Sequence, residues 1–378
     1  MTTNDFTLTD DQRRFVDIIK KPRKRGGGYA GAGKTVCIGV AADEMHEQKA
    51  GSVMVLAPTN KACAVLRPKV SLRIPVRTIH SVTTTPKPFL EKDEDGNVIS
   101  EGLGFAPREE PIKEHCIIDE ASMLGAGFLG KIQHLLTSYS LVGDPMQLQP
   151  VKDTTLMDRQ SLDIELTEVL RQDSGAYALA YATQLRTTGN LKTPPELKVY
   201  DSVNPNMLQD IAQPGHIAIT YTNRDRHWFN SAIRKALGYR NWVPAVGDKL
   251  ICRETDTEAG FYNGMTGVVH SLVEDADDRC WITVKWDGAE YVDDEPIEID
   301  GRRLMGAHVP YQDQFGRHIE YAYAMTCHSA QGSSFAKVYI CPSLSLLRNN
   351  LGAAGMKSWL YTAVTRVEGV GDVIIIDT

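Results

Sequence analysis

The chain of 378 residues lacks the features that mark secreted, membrane-spanning and metal-stapled proteins. No apolar run approaches the length of a membrane helix, and the polar, acidic start at residues 1–11 is not a secretory signal. The seven cysteines are odd in number, scattered and without a Cys-x-x-Cys pair, a pattern that predicts buried free thiols. We therefore expect a protein of the reducing cytoplasm that is not secreted and does not bind a membrane.

The chain also lacks an excess of positive charge. Lys and Arg total 41 against 48 for Asp and Glu, which gives a net charge of −7. This balance disfavours a protein that coats nucleic acid, but a local groove is compatible with it because phosphate binding depends on local charge. The densest basic cluster, residues 20–25, is typical of a solvated loop and is assigned no site. Hydrophobic residues make up 42%, which is enough for two globular domains with sizeable cores.

What the sequence does contain is a phosphate-binding loop. Residues 28–35 are Gly-Tyr-Ala-Gly-Ala-Gly-Lys-Thr, which match the pattern G-x-x-x-x-G-K-[ST]. A glycine-rich turn that opens a helix directs successive backbone N–H groups at one anion. Lys34 adds a cation for the β- and γ-phosphates, and the Thr35 hydroxyl can ligate Mg²⁺. The predicted nucleotide contacts in this loop are Gly28, Ala30, Gly31, Ala32, Gly33, Lys34 and Thr35.

A pair of carboxylates supports this prediction. Ile117-Ile118 forms the end of a short apolar strand that is followed at once by Asp119 and Glu120. An acid at the end of a parallel strand is how such enzymes direct Mg²⁺. The loop and the acid pair together predict a chain that binds and hydrolyses a nucleoside triphosphate.

Strands alternate with helices along most of the chain, which predicts parallel sheets with ligands at the carboxyl ends of the strands. Two stretches break the alternation. Residues 86–111 carry an Asp-Gly-Asn turn between extended segments, which predicts a β-hairpin, and residues 246–317 contain short β-segments, which predict a small β-barrel. Among the helices and strands expected in the first domain are helices at 9–20, 61–70 and 128–136 and strands at 52–57, 115–119 and 140–143.

Residues 186–214 are rich in Pro, Gly and Thr and are predicted to form a hinge. The resulting domain prediction is a first domain at 1–185 with the hairpin at 86–111, a linker at 186–214, a second domain at 215–245 and 318–378, and the inserted barrel at 246–317.

Nine short motifs, in order, resemble those of superfamily 1 helicases of the RecD-like subgroup, with a size and layout similar to the phage Dda type. The resemblance covers essentially the whole chain. The motifs are residues 8–12, 28–35, 57–60, 78–81, 118–123, 142–150, 166–172, 326–333 and 360–366. Of these, Gly-Asp-Pro-x-Gln-Leu-x-Pro at 143–150 and Tyr-Thr-Ala-x-Thr-Arg at 361–366 are the most specific.

The resemblance implies an α/β fold with two RecA-like parallel-sheet domains, an inserted β-hairpin pin and an inserted SH3-like β-barrel. It implies ATP and Mg²⁺ as cofactors, with Gln12 on the adenine and Asp119 beside Thr35 on the metal. Glu120 would be the base for the attacking water, and Gln147 would sense the γ-phosphate. The remaining implied nucleotide contacts are two arginines that neutralise the γ-phosphate, Arg171 and Arg366, and two residues that line the same site, Gln331 and Gly332.

The resemblance also implies a track for a nucleic-acid strand along the strand ends of both domains. The implied contacts are Pro58, Thr59, Asn60 and His80 in the first domain and Thr222, Asn223, Thr326 and His328 in the second. Phe89 in the hairpin would stack on an exposed base, or it anchors the hairpin to its domain. Two departures from the family pattern are the glycine-rich strand at 25–29 and Ser329, which stands where Lys or Arg is common.

The implied function is an ATP-dependent DNA helicase that moves along single strands in the 5′→3′ direction. Its partners would be single-stranded DNA and single-strand/duplex junctions, together with other replication or repair proteins, and the protein would act as a monomer in a bacterial or phage-infected cell. Two alternatives stay open at this point: a nucleic-acid-stimulated ATPase that remodels protein–DNA complexes without unwinding, and an RNA helicase.

Overall fold

The computed structural model describes residues 7–49, 51–92, 98–150, 153–168, 176–256, 260–276, 279–287, 295–310 and 313–377. Contacts divide the chain into two compact units, Met1–Pro145 with Gln149–Arg171, and Met146–Leu148 with Gln172–Thr378. Arg171 lies outside the described residues, as do residues 93–97 with the predicted Asp-Gly turn of the hairpin. No helix among the described residues is long and apolar enough to cross a membrane.

The first unit is built on a six-stranded parallel sheet with the strand order β3-β2-β6-β7-β1-β8. In chain order, the elements are α1 (Asp10–Ile19), β1 (Lys24–Gly28), α2 (Lys34–Gln48), β2 (Val53–Ala57), α3 (Asn60–Leu66), β3 (Val76–Thr78), α4 (Ile79–Thr83), β4 (Thr84–Lys92), β5 (Val98–Pro107), β6 (Ile112–Ile118), α5 (Ala126–Ile132), β7 (Leu136–Gly143) and β8 (Ile164–Leu166).

Helices cover both faces of this sheet because successive strand residues point to opposite sides. Val55 and Ile117 join the core formed with α1, α2 and α3. Leu56 and Ile118, each the next residue along its strand, join the core formed with α4 and α5. The strands are therefore buried on both faces, as expected for a parallel sheet between layers of helices.

The glycine-rich strand β1 is ordered, and close packing explains its composition. A Cβ atom on Gly26 would lie 2.5 Å from Cζ of Phe15, and one on Gly27 would lie 2.3 Å from Cδ1 of Leu162. Both distances are shorter than real carbon contacts allow, so larger side chains would push α1 and the β8 segment away. The glycines bring Phe15, which is fully buried, against the strand that leads into the phosphate loop.

A β-hairpin is present where the Asp-Gly turn predicted one. β4 and β5 pair antiparallel from Thr84↔Pro107 to Lys92↔Val98, and Phe89 lies opposite Gly102 in this register. The predicted helix at 128–136 was wrong at its end: α5 stops at Ile132, and Leu136 already begins β7.

The second unit has a five-stranded parallel sheet with the order β16-β10-β17-β18-β9. In chain order, its elements are α6 (Ala176–Thr187), β9 (Lys198–Tyr200), α7 (Pro205–Ile211), β10 (His216–Thr220), α8 (Asn223–Ala236), β11 (Lys249–Cys252), β12 (Thr266–Ala276), β13 (Arg279–Trp286), β14 (Ile297–Asp300), α9 (Gly301–Leu304), β15 (Ile319–Tyr321), β16 (Ala324–Thr326), α10 (Cys327–Ala330), β17 (Phe335–Cys341), α11 (Leu344–Val364) and β18 (Val367–Ile376).

The unit boundary and the predicted hinge differ from the sequence-based domain limits. The division falls after Arg171 rather than after residue 185, because α6 packs against α11 of the second unit. Residues 186–214, expected to be a hinge, contain β9, which pairs with β18, and α7, whose Ile211 is fully buried. Long-range pairing draws this segment into the second unit despite its Pro-rich composition.

Four strands of the segment predicted to form a barrel join β15, from the segment assigned to the second domain, in a five-stranded antiparallel sheet with the order β14-β13-β12-β11-β15. Its inner residues share one core with the parallel sheet, where Val269 and Ile282 pack with Phe229 and Tyr339. Lys249 of β11 ties the two sheets together, since its Nζ donates to the carbonyls of three residues at 2.6–3.0 Å, Ile211, Gln213 and His216. All seven cysteines are buried and free, as predicted.

Candidate active site

The phosphate loop joins β1 to α2 and has the backbone geometry that its glycines permit. Gly31 and Gly33 adopt φ of 83° and 86°, in the left-handed region that favours glycine. Gly33 is the N-cap of α2, so the first N–H groups of that helix face the loop. The Lys34 Nζ donates to the carbonyls of Gly28 at 2.7 Å and Tyr29 at 3.1 Å, which holds its charge over the loop.

Gln12 lies against this loop and closes the start of α1. Its Oε1 accepts from the Thr9 backbone N–H at 3.1 Å while the Thr9 hydroxyl accepts from the Gln12 N–H at 3.2 Å, which together form a capping box. The Gln12 Nε2 donates to the Ala32 carbonyl at 3.4 Å. A Cβ on Gly33 would lie 2.4 Å from that Nε2. Gln12 thus positions the loop, a role that the sequence analysis did not predict.

Asp119 and Glu120 follow β6 directly, as predicted, and the site is buried. The Asp119 side chain is 6% exposed. Burial and the adjacent Glu120 raise its pKa to about 7, against the opposing charge of Lys34 and a hydrogen bond from the Glu120 N–H. Glu120 adopts φ 50°, an uncommon conformation for a residue with a side chain. Its buried Oε2 has no hydrogen-bond partner among the described residues, so an acceptor is available for a water or metal-bound ligand.

In the second unit, the chain around Gln147 meets Gln331 and Gly332, which are also predicted nucleotide-site residues. The Leu148 N–H, next to Gln147, donates to the Thr362 hydroxyl at 2.8 Å, and the Gln331 Nε2 donates to the Leu148 carbonyl at 3.3 Å. Gln147 is 3% exposed, and its Oε1 has no partner within the described part of the chain. Gly332, the next residue after Gln331, adopts φ 73°.

Arg366 belongs to the same cluster and is held rigidly. It is 6% exposed, and its Nε donates to the Thr362 carbonyl at 3.1 Å. Its Nη1 donates to the Ser333 carbonyl at 3.3 Å, and its Nη2 to the Thr365 hydroxyl at 3.3 Å. All these acceptors are neutral, so the described residues do not neutralise the guanidinium charge. Thr362 links Arg366 to the Gln147 segment, and only the fold revealed this link.

The residues predicted to contact nucleic acid share a local structure in both units. Thr59 follows β2 and caps α3 by accepting from the Ala62 N–H at 3.1 Å. Thr222 follows β10 and caps α8 by accepting from the Asp225 N–H at 3.0 Å. In each case an asparagine is the first residue of the helix, Asn60 in one unit and Asn223 in the other. The same strand, Thr cap and Asn thus recur at the carboxyl end of a strand in each sheet.

The other predicted contacts occupy similar places. Pro58 follows β2 and is half-buried, and Thr326 caps α10. His80, in α4, is exposed and lies with its ring 4.9 Å from that of Phe128, a neighbour that the sequence did not indicate. His328, in α10, is half-buried. Each unit thus presents a set of polar groups at its strand ends, and the contact of these groups with nucleic acid stays a prediction.

Two parallel-sheet units, a phosphate loop that opens a helix and a buried acid near Lys34 are together typical of the phosphate-loop class of nucleotide-binding proteins. Residues 7–202, more than half of the chain, match the family described as the AAA domain, and residues 321–368 match the UvrD-like helicase C-terminal domain. The chain belongs to this AAA family, and its motifs together with both matches place it among the superfamily 1 helicases. The family predicted from the motifs is confirmed.

Solved structures show the same fold. A crystal structure of Bacteroides Pif1 bound to ssDNA aligns with a TM-score of 0.57 at 19% identity, covering 98% of this chain and 92% of that chain. Pif1 helicase from Candida albicans aligns with a TM-score of 0.55 at 14% identity, covering 99% and 95%.

Curated relatives are larger proteins. The conjugal transfer protein TraA of Agrobacterium fabrum (strain C58 / ATCC 33970) is 24% identical over 381 residues, and that of Rhizobium radiobacter is 25% identical over 382 residues. Each alignment covers 90% of this chain, but the chain spans only 31% of the length of these relatives.

Proposed function

We propose that this chain is a DNA helicase that couples ATP hydrolysis to 5′→3′ movement along single-stranded DNA. The observation that carries the proposal is the repeated strand, Thr cap and Asn in both parallel sheets. Two equivalent sets of polar groups allow two grips on one strand, and contacts of this kind go to phosphate and sugar without base specificity. One Pif1 structure with this fold is bound to ssDNA, and another concerns DNA unwinding at forked dsDNA by Pif1 helicases, which supports a DNA substrate.

The chemistry assigned to the first unit follows from its residues. The glycine-rich turn fits a phosphate, since its helix-opening N–H groups and the Lys34 charge both favour an anion. Thr35 and Asp119 would hold Mg²⁺, which supplies charge neutralisation for the phosphates when bound. The free, buried Oε2 of Glu120 is suited to accept a proton from a water, and Gln12 would contact adenine.

The second unit would supply the group that stabilises the charge developing on the γ-phosphate. Arg366 fits because its guanidinium is oriented by three neutral acceptors rather than by a carboxylate. An arginine in this role is worth about 10³–10⁵ in rate. Gln147 would sense the same phosphate, Gln331 and Gly332 would line the site, and Arg171 would be a second cation.

The hairpin of β4 and β5 would act as the pin that separates the strands, with Phe89 stacking on a base. The antiparallel insert would be a closed SH3-like barrel. A bridge between Ile299 of β14 and Arg317, just before β15, joins the two ends of the strand order and supports closure.

The deciding experiment is unwinding of duplexes with either a 5′ or a 3′ single-stranded tail, with a Lys34→Ala control. We expect unwinding of the 5′-tailed duplex alone and no activity in the control. Unwinding of only the 3′-tailed duplex would refute the polarity. Activity that survives in the control would show that another enzyme is responsible.

Deletion of residues 90–98 separates unwinding from remodelling. A helicase should lose unwinding and keep strand-stimulated ATPase, whereas a remodelling ATPase without unwinding activity would show no duplex separation even before the deletion. Stimulation by RNA strands but not DNA strands would identify an RNA helicase instead.

A further inference from the structure

One long stretch of the first unit carries positive charge only, in a chain whose net charge is −7. Residues 48–90 contain no Asp or Glu, and their Lys and Arg residues are Lys49, Lys61, Arg67, Lys69, Arg73, Arg77 and Lys87. Four of these side chains are exposed cations that follow one another in the chain, Arg67, Lys69, Arg73 and Arg77. The ion pairs of the described first unit all involve other cations.

These cations lie apart from the strand end that carries Thr59 and Asn60. α3 begins at Asn60, next to the carboxyl end of β2, and ends at Leu66, and β3 begins at Val76. Because β3 runs parallel to β2, the segment at 67–75 returns the chain to the amino end of the sheet. β3 is the outermost strand of that sheet. Nucleic-acid contacts at the carboxyl ends of the strands therefore do not explain this charge.

An apolar side chain stands at the tip of the same segment. The Ile74 N–H donates to the Ser71 carbonyl at 2.9 Å, which closes a turn with Leu72 and Arg73 at its centre. Leu72 is fully exposed to solvent. Val70 and Ile74, on either side of the turn, are buried in the core of the unit. The turn is thus anchored at both ends and holds Leu72 in water beside the cations.

The carboxylates nearest to these cations do not balance them. α2 packs against residues 67–69 and carries Asp43, Glu44 and Glu47. Glu44 pairs with two other cations, and Asp43 accepts from the Ser71 backbone N–H at 3.1 Å. Even with Asp43 and Glu47 both counted as ionised, four exposed cations against two carboxylates leave an excess of two positive charges.

We propose that this surface binds an acidic segment of a partner protein that also carries apolar side chains. We call it the basic edge, and it consists of Arg67, Lys69, Leu72, Arg73 and Arg77. The cations complement carboxylates and set the orientation and rate of encounter, while Leu72 supplies apolar surface that the partner buries. A phosphate backbone would satisfy the cations but leave Leu72 in water, which favours a protein partner. The inference goes beyond the proposed function and does not require a nucleic-acid strand.

The test is binding of a labelled acidic peptide, four repeats of Asp-Leu-Glu, to the full chain, followed by fluorescence anisotropy. We expect binding that weakens as salt is raised from about 0.05 M to about 0.3 M, because added ions screen exposed charges. Four repeats of Asn-Leu-Gln, which lack the charge, should bind at least about tenfold more weakly. Four repeats of Asp-Ser-Glu, which lack the apolar side chains, should bind about threefold to tenfold more weakly.

Two variants of the basic edge separate its charge from its apolar contact. Lys69→Glu/Arg73→Glu should weaken binding of the acidic peptide about tenfold. Leu72→Ser should weaken it about threefold to tenfold, and it removes no buried contact, so a loss does not reflect misfolding. The matched control is Lys21→Glu/Lys131→Glu, which makes the same charge change at two exposed residues of the same unit. Its affinity should stay within about twofold of the wild type.

Each remaining outcome decides against the proposal. Wild-type protein that does not bind the acidic peptide overturns it, as does equal binding by the wild type and Lys69→Glu/Arg73→Glu. If that variant instead loses affinity for duplex DNA or oligo-dT, the basic edge is a nucleic-acid surface. If the wild type self-associates and the variant does not, the occupant is a second copy of this chain. Failure of the proposed function would show separately, as a wild type that binds the peptide but has no strand-stimulated ATPase.

Discussion

Gly26 offers a direct test of how the phosphate loop is supported. In Gly26→Ala the new Cβ would lie 2.5 Å from Cζ and 2.8 Å from Cε2 of Phe15, and 3.0 Å from Cγ2 of Ile19. Phe15 and Ile19 are fully buried, so α1 must move or the Phe15 ring must leave its rotamer. Because β1 leads into the phosphate loop, the displacement should also weaken nucleotide binding.

The expected magnitude is the difference between two effects. Overpacking of a buried site costs about 1–3 kcal/mol, while Ala in a strand gains about 0.5–1 kcal/mol over Gly. We expect a net loss of about 1–2 kcal/mol. For a unit of this size, that loss corresponds to a fall in Tm of about 2–8 °C, measured by calorimetry.

Phe15→Leu provides the double-mutant test, because it removes the ring atoms that the new Cβ would meet. The double variant should lose less unfolding free energy than the two single variants lose in sum, and the difference should be about 0.5–2 kcal/mol. Gly130→Ala is the control, since a Cβ there meets no atom within 4 Å, and it should stabilise α5 by about 0.5–1 kcal/mol. Additive losses for Gly26→Ala and Phe15→Leu would refute the packing argument.

Three further predictions concern the site and its support. Arg366→Ala should lower strand-stimulated ATP turnover by at least about 10³-fold. It should also lower the free energy of unfolding by about 1–3 kcal/mol, because buried carbonyls lose their donor. Turnover within tenfold of the wild type would contradict the assigned role. Gln12→Ala should lower the free energy of unfolding by about 1 kcal/mol through the lost capping box, and it should raise KM for ATP more than KM for GTP. Equal increases in the two KM values would show that Gln12 acts only through the loop. Burial opposes ionisation of Glu320, but Arg226 and Arg253 lower its pKa to about 2. The ionised Glu320 therefore stabilises the folded protein fully above the ordinary pKa near 4.3, and this stabilisation is lost as the pH falls toward 2. Glu320→Gln should therefore lose about 3 kcal/mol relative to the wild type at pH 7 and much less at pH 3, as measured by urea denaturation; a gap that does not depend on pH would refute the ion-pair assignment.

The elements predicted well were those with both an apolar run and a local end signal. α1 begins at the Thr9 cap, α2 begins at the phosphate loop, and β4 and β5 pair as a hairpin up to Lys92 and Val98. The α5 helix was predicted too long because Leu135 and Leu136 continue its apolar spacing, and periodicity does not show where a buried helix gives way to a buried strand.

The segment at 186–214 could not be assigned from its composition. β9 has three residues, all exposed, and no alternation to identify it. It is a strand only because β18 offers a pairing edge far along the chain. Such an edge strand depends on long-range contacts rather than on its own propensity.

The sequence by itself determined the local features that we propose to carry the chemistry. The phosphate loop, the acid pair after β6 and the Thr caps at the strand ends are encoded within a few neighbouring residues, so local patterns suffice to find them. The tertiary structure alone decided what supports them. Gln12 meets Ala32 across 20 residues, Arg253 meets Glu320 across 67, and Leu148 meets Thr362 across 214. Packing of whole sheets and helices selects such partners, and nothing in the local sequence specifies them.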